Sequence, residues 1–363
     1  MKRLHQSKSM KERLEPLLKK MSQLCIDTFL VSDLHVIRWL TGFSGSSARV
    51  LLSPHRSLLF TDFRYAEQVK QEVDGMESVI IQTSYVDSFV GGGYLQGKRM
   101  AIQEEEVTVY EARQLGEKLN EVEIVPVHGF FYEFRAMKND MEIDCMRQAA
   151  AISEQVLEQI LPLISPDVTE VDIAAEISYR HRRLGAERDA FDPVVAAGPR
   201  SALPHAKPGA DRFRPGTLIV IDMGCIYRGY ASDQTRTIAL GKAPKEAREI
   251  YNITREAQQL GIDSALPGMP GKELDALVRG YIEKHGYGEH FGHGLGHGVG
   301  VEVHEKPRLG KLSDDILPLR SVFTIEPGIY LPGKYGVRIE DTVVMEEGGV
   351  VPFQRFTKEL VEL

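Results

Sequence analysis

A chain of 363 residues with 42% hydrophobic and 26% charged residues has an ordinary globular composition, long enough for two domains with cores of their own. Its net charge of −8 argues against a nucleic-acid surface, and no stretch approaches the roughly 18 apolar residues of a membrane span. Three cysteines, odd in number and far apart, exclude a disulfide framework and suit a reducing cytoplasm.

Leu14, Leu17, Leu18 and Met21 recur at helical spacing and predict a helix over 10–24. Met10 is a second plausible start, so residues 1–9 read as a possible disordered leader. A strand at 26–32, a short helix at 36–40 and strands at 48–53 and 57–61 follow, the last two turning between Pro54 and Ser57. A helix over 63–73, strands near 78–83 and 98–103 and a helix over 108–120 complete an α/β domain spanning 10–127. Gly91, Gly92 and Gly93 match no phosphate-binding motif and read as a flexible connection. Residues 128–138 read as a linker, and 139–363 as a second domain.

Asn139 with Glu142 predicts a capped helix running to about Leu163, and Thr169 with Asp172 another to about Leu184. Residues 217–240 read as a two-stranded hairpin turning near Tyr227–Gly229. Helices near 244–265 and 271–286, then strands bearing FTIEPGIY and GVRIEDTVVM, repeat that plan. Helix, helix, hairpin thus occurs twice, which predicts an α+β domain with pseudo-twofold halves.

Five potential metal ligands lie along this domain, in distinctive settings: Asp222 (IDMG), Asp233 (SDQTRT), His297 (GHGLGHG), Glu326 (IEPG) and Glu340 (RIED). Four carboxylates and one imidazole form a hard, oxygen-rich set, suited to two divalent first-row ions. Asp222 ends an apolar run, Leu218 to Ile221, so it is expected to be buried, and an unpaired buried carboxylate is costly. The first hairpin should place Asp222 and Asp233 roughly opposite, at the cross-strand Cβ spacing of about 4.5–5.5 Å. Glu326 and Glu340 should repeat this on the second hairpin. These residues point to a dinuclear metallohydrolase.

The glycines at 292, 294, 296, 298 and 300 argue against a helix around His293 and His297 and allow close backbone approach. One histidine suffices as a ligand, which leaves others for proton transfer or substrate. His5, His35, His55, His128, His181 and His285 read as surface or structural residues. Arg338, two before Glu340, shares its strand face and suits either an ion pair or a substrate carboxylate; Arg308 is a second candidate.

With these motifs in this order, residues 130–363 resemble the pita-bread metallopeptidases: methionine aminopeptidase, Xaa-Pro aminopeptidase and prolidase. RWLTGFSGSSARVLL (38–52) and LLFTDFRYAEQ (58–68) resemble the creatinase-type N-terminal domain of the proline-specific members. The resemblance implies that Asp222 chelates one ion, that His297 and Glu326 bind the other, and that Asp233 and Glu340 bridge both. It implies catalytic roles for His293, His304 and Glu326, and substrate contacts from His205, His293, His304, Tyr330 and Arg338, to which the residue reading adds Arg308 as a candidate for a substrate carboxylate. It further implies an exopeptidase acting on Xaa-Pro dipeptides or on longer peptides with proline second, and a homodimer. Mn2+ is the expected metal, with Co2+, Zn2+ and Fe2+ as alternatives. Proline calls for a dedicated enzyme because its nitrogen carries no N–H and its ring restricts φ. Methionine aminopeptidase, a creatinase-type hydrolase and a non-catalytic binding module are the competing readings. The full N-terminal domain weighs against the first, and the complete ligand set against the other two.

Overall fold

The computed structural model describes residues 2–363, with side chains from Met10 onward, so Met1 and the side chains of the expected leader lie outside the described residues. The chain divides into two compact units, Met1–Phe134 and Arg135–Leu363.

The first unit runs α1 (Lys2–Gln23), β1 (Thr28–Val31), α2 (Leu34–Thr41), β2 (Arg49–Leu52), β3 (Leu58–Asp62), α3 (Ala66–Glu72), β4 (Glu77–Ile81), α4 (Tyr85–Gly91), β5 (Arg99–Gln103), α5 (Val109–Lys118) and β6 (Glu123–Val127). Its six strands form one mixed sheet in the order β4-β3-β2-β1-β5-β6. Leu30, Leu51, Phe60, Phe89 and Leu115 are buried together, joining the sheet to its helices. Three stretches differ from expectation. The glycine run is not a free connection: Ser84 caps α4 by accepting from the Asp87 N–H, and Gly91–Gly92 end that helix. Strand β6 contains Pro126, which reads against a strand but is tolerated at a sheet edge, where β6 lies. The stretch expected as a linker holds a short helix, α6 (Tyr132–Ala136).

The second unit opens with α7 (Asp140–Ile160) and α8 (Glu170–Arg183). Both carry full capping boxes, from Asn139 with Glu142 and from Thr169 with Asp172. Strands β7 (Arg188–Asp189), β8 (Val194–Ala197), β9 (Thr217–Met223), β10 (Cys225–Tyr227), β11 (Tyr230–Ala231) and β12 (Gln234–Leu240) follow. Then come α9 (Lys245–Ser264), α10 (Gly271–Lys284), β13 (Gly296–Gly298), β14 (Glu305–Leu309), β15 (Val322–Ile325), β16 (Gly328–Leu331), β17 (Tyr335–Arg338), β18 (Asp341–Glu346) and β19 (Gly349–Pro352). In the first half Val156, Leu157, Ile173 and Ile177 of α7 and α8 pack on Val195, Ile219, Ile221 and Ile238 of the β12-β9-β8 sheet. In the second, Ile250, Tyr251, Leu274 and Val278 of α9 and α10 pack on Phe323, Ile325, Val343 and Met345. Each helix pair therefore buries its apolar stripe on its own sheet, and the protein is α+β.

Each expected hairpin is in fact two ladders in series. β9 pairs with β12, and the chain between them continues as the small β10-β11 hairpin, turning at Arg228 and Gly229 with φ of 48° and 85°. β15 pairs with β18 in the same way, and β16 with β17 continues it. Expected register is corrected accordingly: Asp222 faces Thr235, not Asp233, which lies in the break before β12. Ile325 faces Asp341, so Glu326 and Glu340 fall in the corresponding breaks. A ladder that stops and restarts bends the chain there, and three of the four carboxylates sit at those bends.

Candidate metal centre

The breaks turn the carboxylates inward. Ligand oxygens of Asp233 and Glu340 and a ring nitrogen of His297 lie within 4.8 Å of one another. His297 Nε2 is 3.6 Å from Asp233 Oδ2 and 3.3 Å from Glu326 Oε1. Its Nδ1–H donates to the Gly298 carbonyl at 3.1 Å, which leaves Nε2 as the free lone pair facing the carboxylates. Asp222, at the end of the central strand β9, carries the fourth carboxylate.

Two threonines that sequence reasoning missed orient the glutamates. The Thr235 hydroxyl donates to Glu340 Oε2 at 2.6 Å and accepts from Arg338 Nε at 3.0 Å. The Thr324 hydroxyl donates to Glu326 Oε1 at 3.1 Å and accepts from the His297 N–H at 3.1 Å. A signal was present: Thr235 stands two residues after Asp233, and Thr324 two before Glu326, spacings that share a strand face. Backbone bonds hold the bends themselves. The Glu326 N–H donates to Leu295 O, the Glu340 N–H to Thr235 O, and the Asp233 carbonyl accepts from Thr342 Oγ1 and Gln354 Nε2.

The donor set suits hard cations. Asp222 Oδ1 and Glu340 Oε1 are buried with no hydrogen-bond partner among the described residues. Burial, followed by repulsion from Glu340, Asp222 and Glu326, holds the Asp233 carboxyl far above its ordinary range. Burial and the charges of Glu326 and Asp222 do the same to Glu340, and burial lifts Glu326 to about 7. Carboxylates packed this closely ionise together only beside compensating positive charge. Arg338 supplies one such charge, with Nη2 2.7 Å from Asp222 Oδ2. The remaining demand matches divalent ions ligated by oxygen and one imidazole.

Arg338 is wholly committed to the protein. Besides Asp222 and Thr235, its Nη1 donates to the Tyr330 hydroxyl at 3.0 Å and to Pro204 O at 3.1 Å. Tyr330 in turn donates to His293 Nε2 at 2.9 Å, and His293 Nδ1–H to Gly294 O at 2.8 Å. Arg338, Tyr330 and His293 thus form one directed chain beside the carboxylates. Burial, then the charge of Arg338, pushes the His293 imidazole down to about 4, so it is neutral.

The His304 ring meets His297 edge-on at a centroid distance of 4.3 Å, and partial burial, then that neighbour, pushes it down to about 4. Both line a cavity of about 780 Å³ that also exposes His293, Lys306, Arg308 and Lys311. Arg308 faces His297 across the β13-β14 ladder, is exposed, and has no side-chain partner among the described contacts. His205 lies instead in a neighbouring cavity of about 350 Å³, with Pro204, His290, Tyr330 and Pro332; His293 borders both spaces. His181, expected as surface or structural, is fully buried, with Nδ1 2.7 Å from Asp189 Oδ1.

Comparison with known proteins agrees with this geometry. The profile of metallopeptidase family M24 matches residues 144–347, and that of the creatinase/prolidase N-terminal domain matches 13–137. An Xaa-Pro dipeptidase of Pyrococcus furiosus is 35% identical, over 97% of this chain and 100% of its own length. The solved Xaa-Pro dipeptidase of Bacillus anthracis superposes with a TM-score of 0.94 at 37% identity, covering 98% of this chain and 100% of that one. An X-Pro aminopeptidase structure from Thermotoga maritima gives 0.88 at 37% identity, covering 95% and 100%.

Proposed function

The chain belongs to metallopeptidase family M24, and on that premise we propose that it hydrolyses the bond between an N-terminal residue and a following proline, acting foremost on Xaa-Pro dipeptides. The observation that carries this reading is the meeting of Asp233, His297 and Glu340 within ligand reach, with Glu326 beside His297, unpartnered oxygens on Asp222 and Glu340, and raised carboxyls on Asp233, Glu326 and Glu340; with Asp222, these are the residues we assign as ligands. These residues would hold two divalent ions. When bound, such ions polarise the scissile carbonyl and lower the pKa of a water nucleophile to about 7. Mn2+ is our first choice, because oxygen-rich ligation suits it.

The side chains divide the remaining work. His304, neutral and on the cavity side of His297, donates to the carbonyl oxygen as charge develops there. Glu326 carries a proton toward the departing proline nitrogen. His293, fixed by Tyr330 and Arg338, and His205 flank the proline ring. Arg338 orients Asp222 and Tyr330, whereas Arg308, exposed at the larger cavity, is the guanidinium available to a substrate carboxylate.

That carboxylate contact favours a dipeptidase. The size of the cavity favours the second reading, an Xaa-Pro aminopeptidase that accepts longer chains. Turnover of Ala-Pro beside Ala-Pro-Ala by the Mn2+-loaded protein decides between them. We expect cleavage confined to the dipeptide and a raised KM in Arg308→Ala. Efficient release of alanine from the tripeptide selects the aminopeptidase, and cleavage of neither overturns the proposal. A cytoplasmic home accords with three cysteines that are all free. The homodimer implied by the resemblance is a matter for sedimentation equilibrium.

A further inference from the structure

The stretch 128–138, which reads as a linker, ends in two deeply buried cations. Arg135 and Lys138 side chains are 3% and 2% exposed, and both meet the carboxylate of Glu305, itself 6% exposed. Arg135 Nη2 lies 2.5 Å from Glu305 Oε2, and Lys138 Nζ lies 2.6 Å from Oε1, so a different cation holds each oxygen. Arg135 also donates to Glu302. Lys138 is fixed in turn: its N–H donates to Arg320 O, Arg320 Nε donates to Lys138 O, and Met137 bridges to Ser321 at the foot of β15.

Glu305 immediately follows His304. The chain from His297 to Glu305 closes on itself: Gly298 pairs with Glu305, the Gly300 N–H donates to Glu302 O, and Gly300 O accepts from Ala231 N–H. An added Cβ on Gly300 would lie 2.1 Å from Glu305 Oε1, so this loop wraps the carboxylate without spare room. Among the described contacts the His304 ring makes no hydrogen bond, only its edge-on contact with His297. Its aim is therefore set by the backbone on which it sits, and that backbone is anchored at Glu305. Burying charges rarely maximises stability, since apolar replacements of similar volume are often neutral or better. A buried cluster kept beside a working residue accordingly points to geometry.

We propose that Arg135 and Lys138 are positioning residues for the reaction, acting through Glu305 to fix the backbone that aims His304 at the substrate carbonyl. The two cations hold Glu305 ionised despite its burial, which keeps both oxygens available as acceptors. This rests on the role given to His304 above.

A double-mutant cycle on the full-length, Mn2+-loaded protein tests it, using whichever of Ala-Pro or Ala-Pro-Ala is cleaved. Glu305→Gln should lower kcat by about 10²-fold, as displacements near 1 Å do, with KM and metal content unchanged. In a His304→Ala background the same substitution should cost almost nothing further. Should Glu305→Gln not fold, Arg135→Lys and Arg135→Met carry the same comparison, the first retaining more activity because it keeps the charge. An unchanged kcat, additive losses, or a loss that tracks lost metal overturns the proposal. Full activity in His304→Ala sinks the reading of His304 itself, and any loss from Glu305→Gln then arises elsewhere, which overturns the proposal too.

Discussion

At the scale of single residues, the centre is governed by charges that cannot be balanced from within. Arg338 offsets one carboxylate, while Asp233, Glu326 and Glu340 are pushed toward protonation by burial and by each other. Asp233→Ala should therefore abolish both metal uptake and turnover. Thr235→Val, which keeps every ligand and removes only the hydroxyl aligning Glu340, should weaken metal affinity by about 10–100-fold. Metal titration of the two variants separates losing a ligand from losing its orientation. His293 supplies a pH test on chelator-stripped protein. Its folded-state pKa is lowered to about 4, against about 6.5 in an unfolded chain. Below about pH 6.5 the unfolded chain takes up a proton that the native protein refuses. Stability should be fully present above that point and decline toward pH 4, and His293→Gln should show a shallower decline in urea titrations across this window. The five candidate ligands could be named from the sequence because each sits in a distinctive motif; Thr235 and Thr324 offered only a two-residue spacing from Asp233 and Glu326, and a hydroxyl carries no charge to mark its partner.

At the scale of elements, the interrupted ladder is what places the candidate ligands. A continuous hairpin would direct alternate side chains to opposite faces, and Asp222 and Asp233 would have met only by register. Breaking each ladder instead turns Asp233, Glu326 and Glu340 inward at bends held by backbone bonds. Strand β13 joins them only through close approach: a Cβ on Gly296 would stand 2.0 Å from the Thr324 carbonyl. Gly296→Ala should thus cost about 1–3 kcal/mol in chemical denaturation and also impair metal binding, because Thr324 steers Glu326. Asn139→Ala, which removes a capping box far from the ligands in sequence, should cost about 1 kcal/mol with metal binding intact. If Gly296→Ala binds metal normally, the close contact is packing alone. Helices and caps were readable ahead of the structure, since both depend on neighbours within four residues. The breaks were not, because they depend on which strands lie alongside.

At the scale of the whole molecule, the candidate ligands come from β9, the β11-β12 break, β13 and the β15-β18 breaks, so a centre built from them would join both halves of the second unit. Cations that bind only this assembled state stabilise it by mass action, by about 2.7 kcal/mol at a concentration a hundredfold above Kd. Adding Mn2+ to chelator-stripped protein should raise its melting temperature in a concentration-dependent way, and Asp233→Ala should remove that response. A melting curve that ignores Mn2+ would mean the cluster does not bind the ion in the native state. Among the described residues no helix is long and apolar enough to cross a membrane, in keeping with the composition.

What the sequence determined by itself was local or chemical: the capped helices, the twofold plan of helix, helix, hairpin, and the residue types and order that mark a candidate ligand set. Tertiary structure alone decided the rest. It opposed Asp222 to Thr235, spent Arg338 on the protein while leaving Arg308 at the cavity, and buried Arg135 and Lys138 against Glu305. The physical reason is common to all three. A motif records which groups a chain carries, whereas a charge finds its partner through space, across separations of some 115 to 170 residues in these ion pairs.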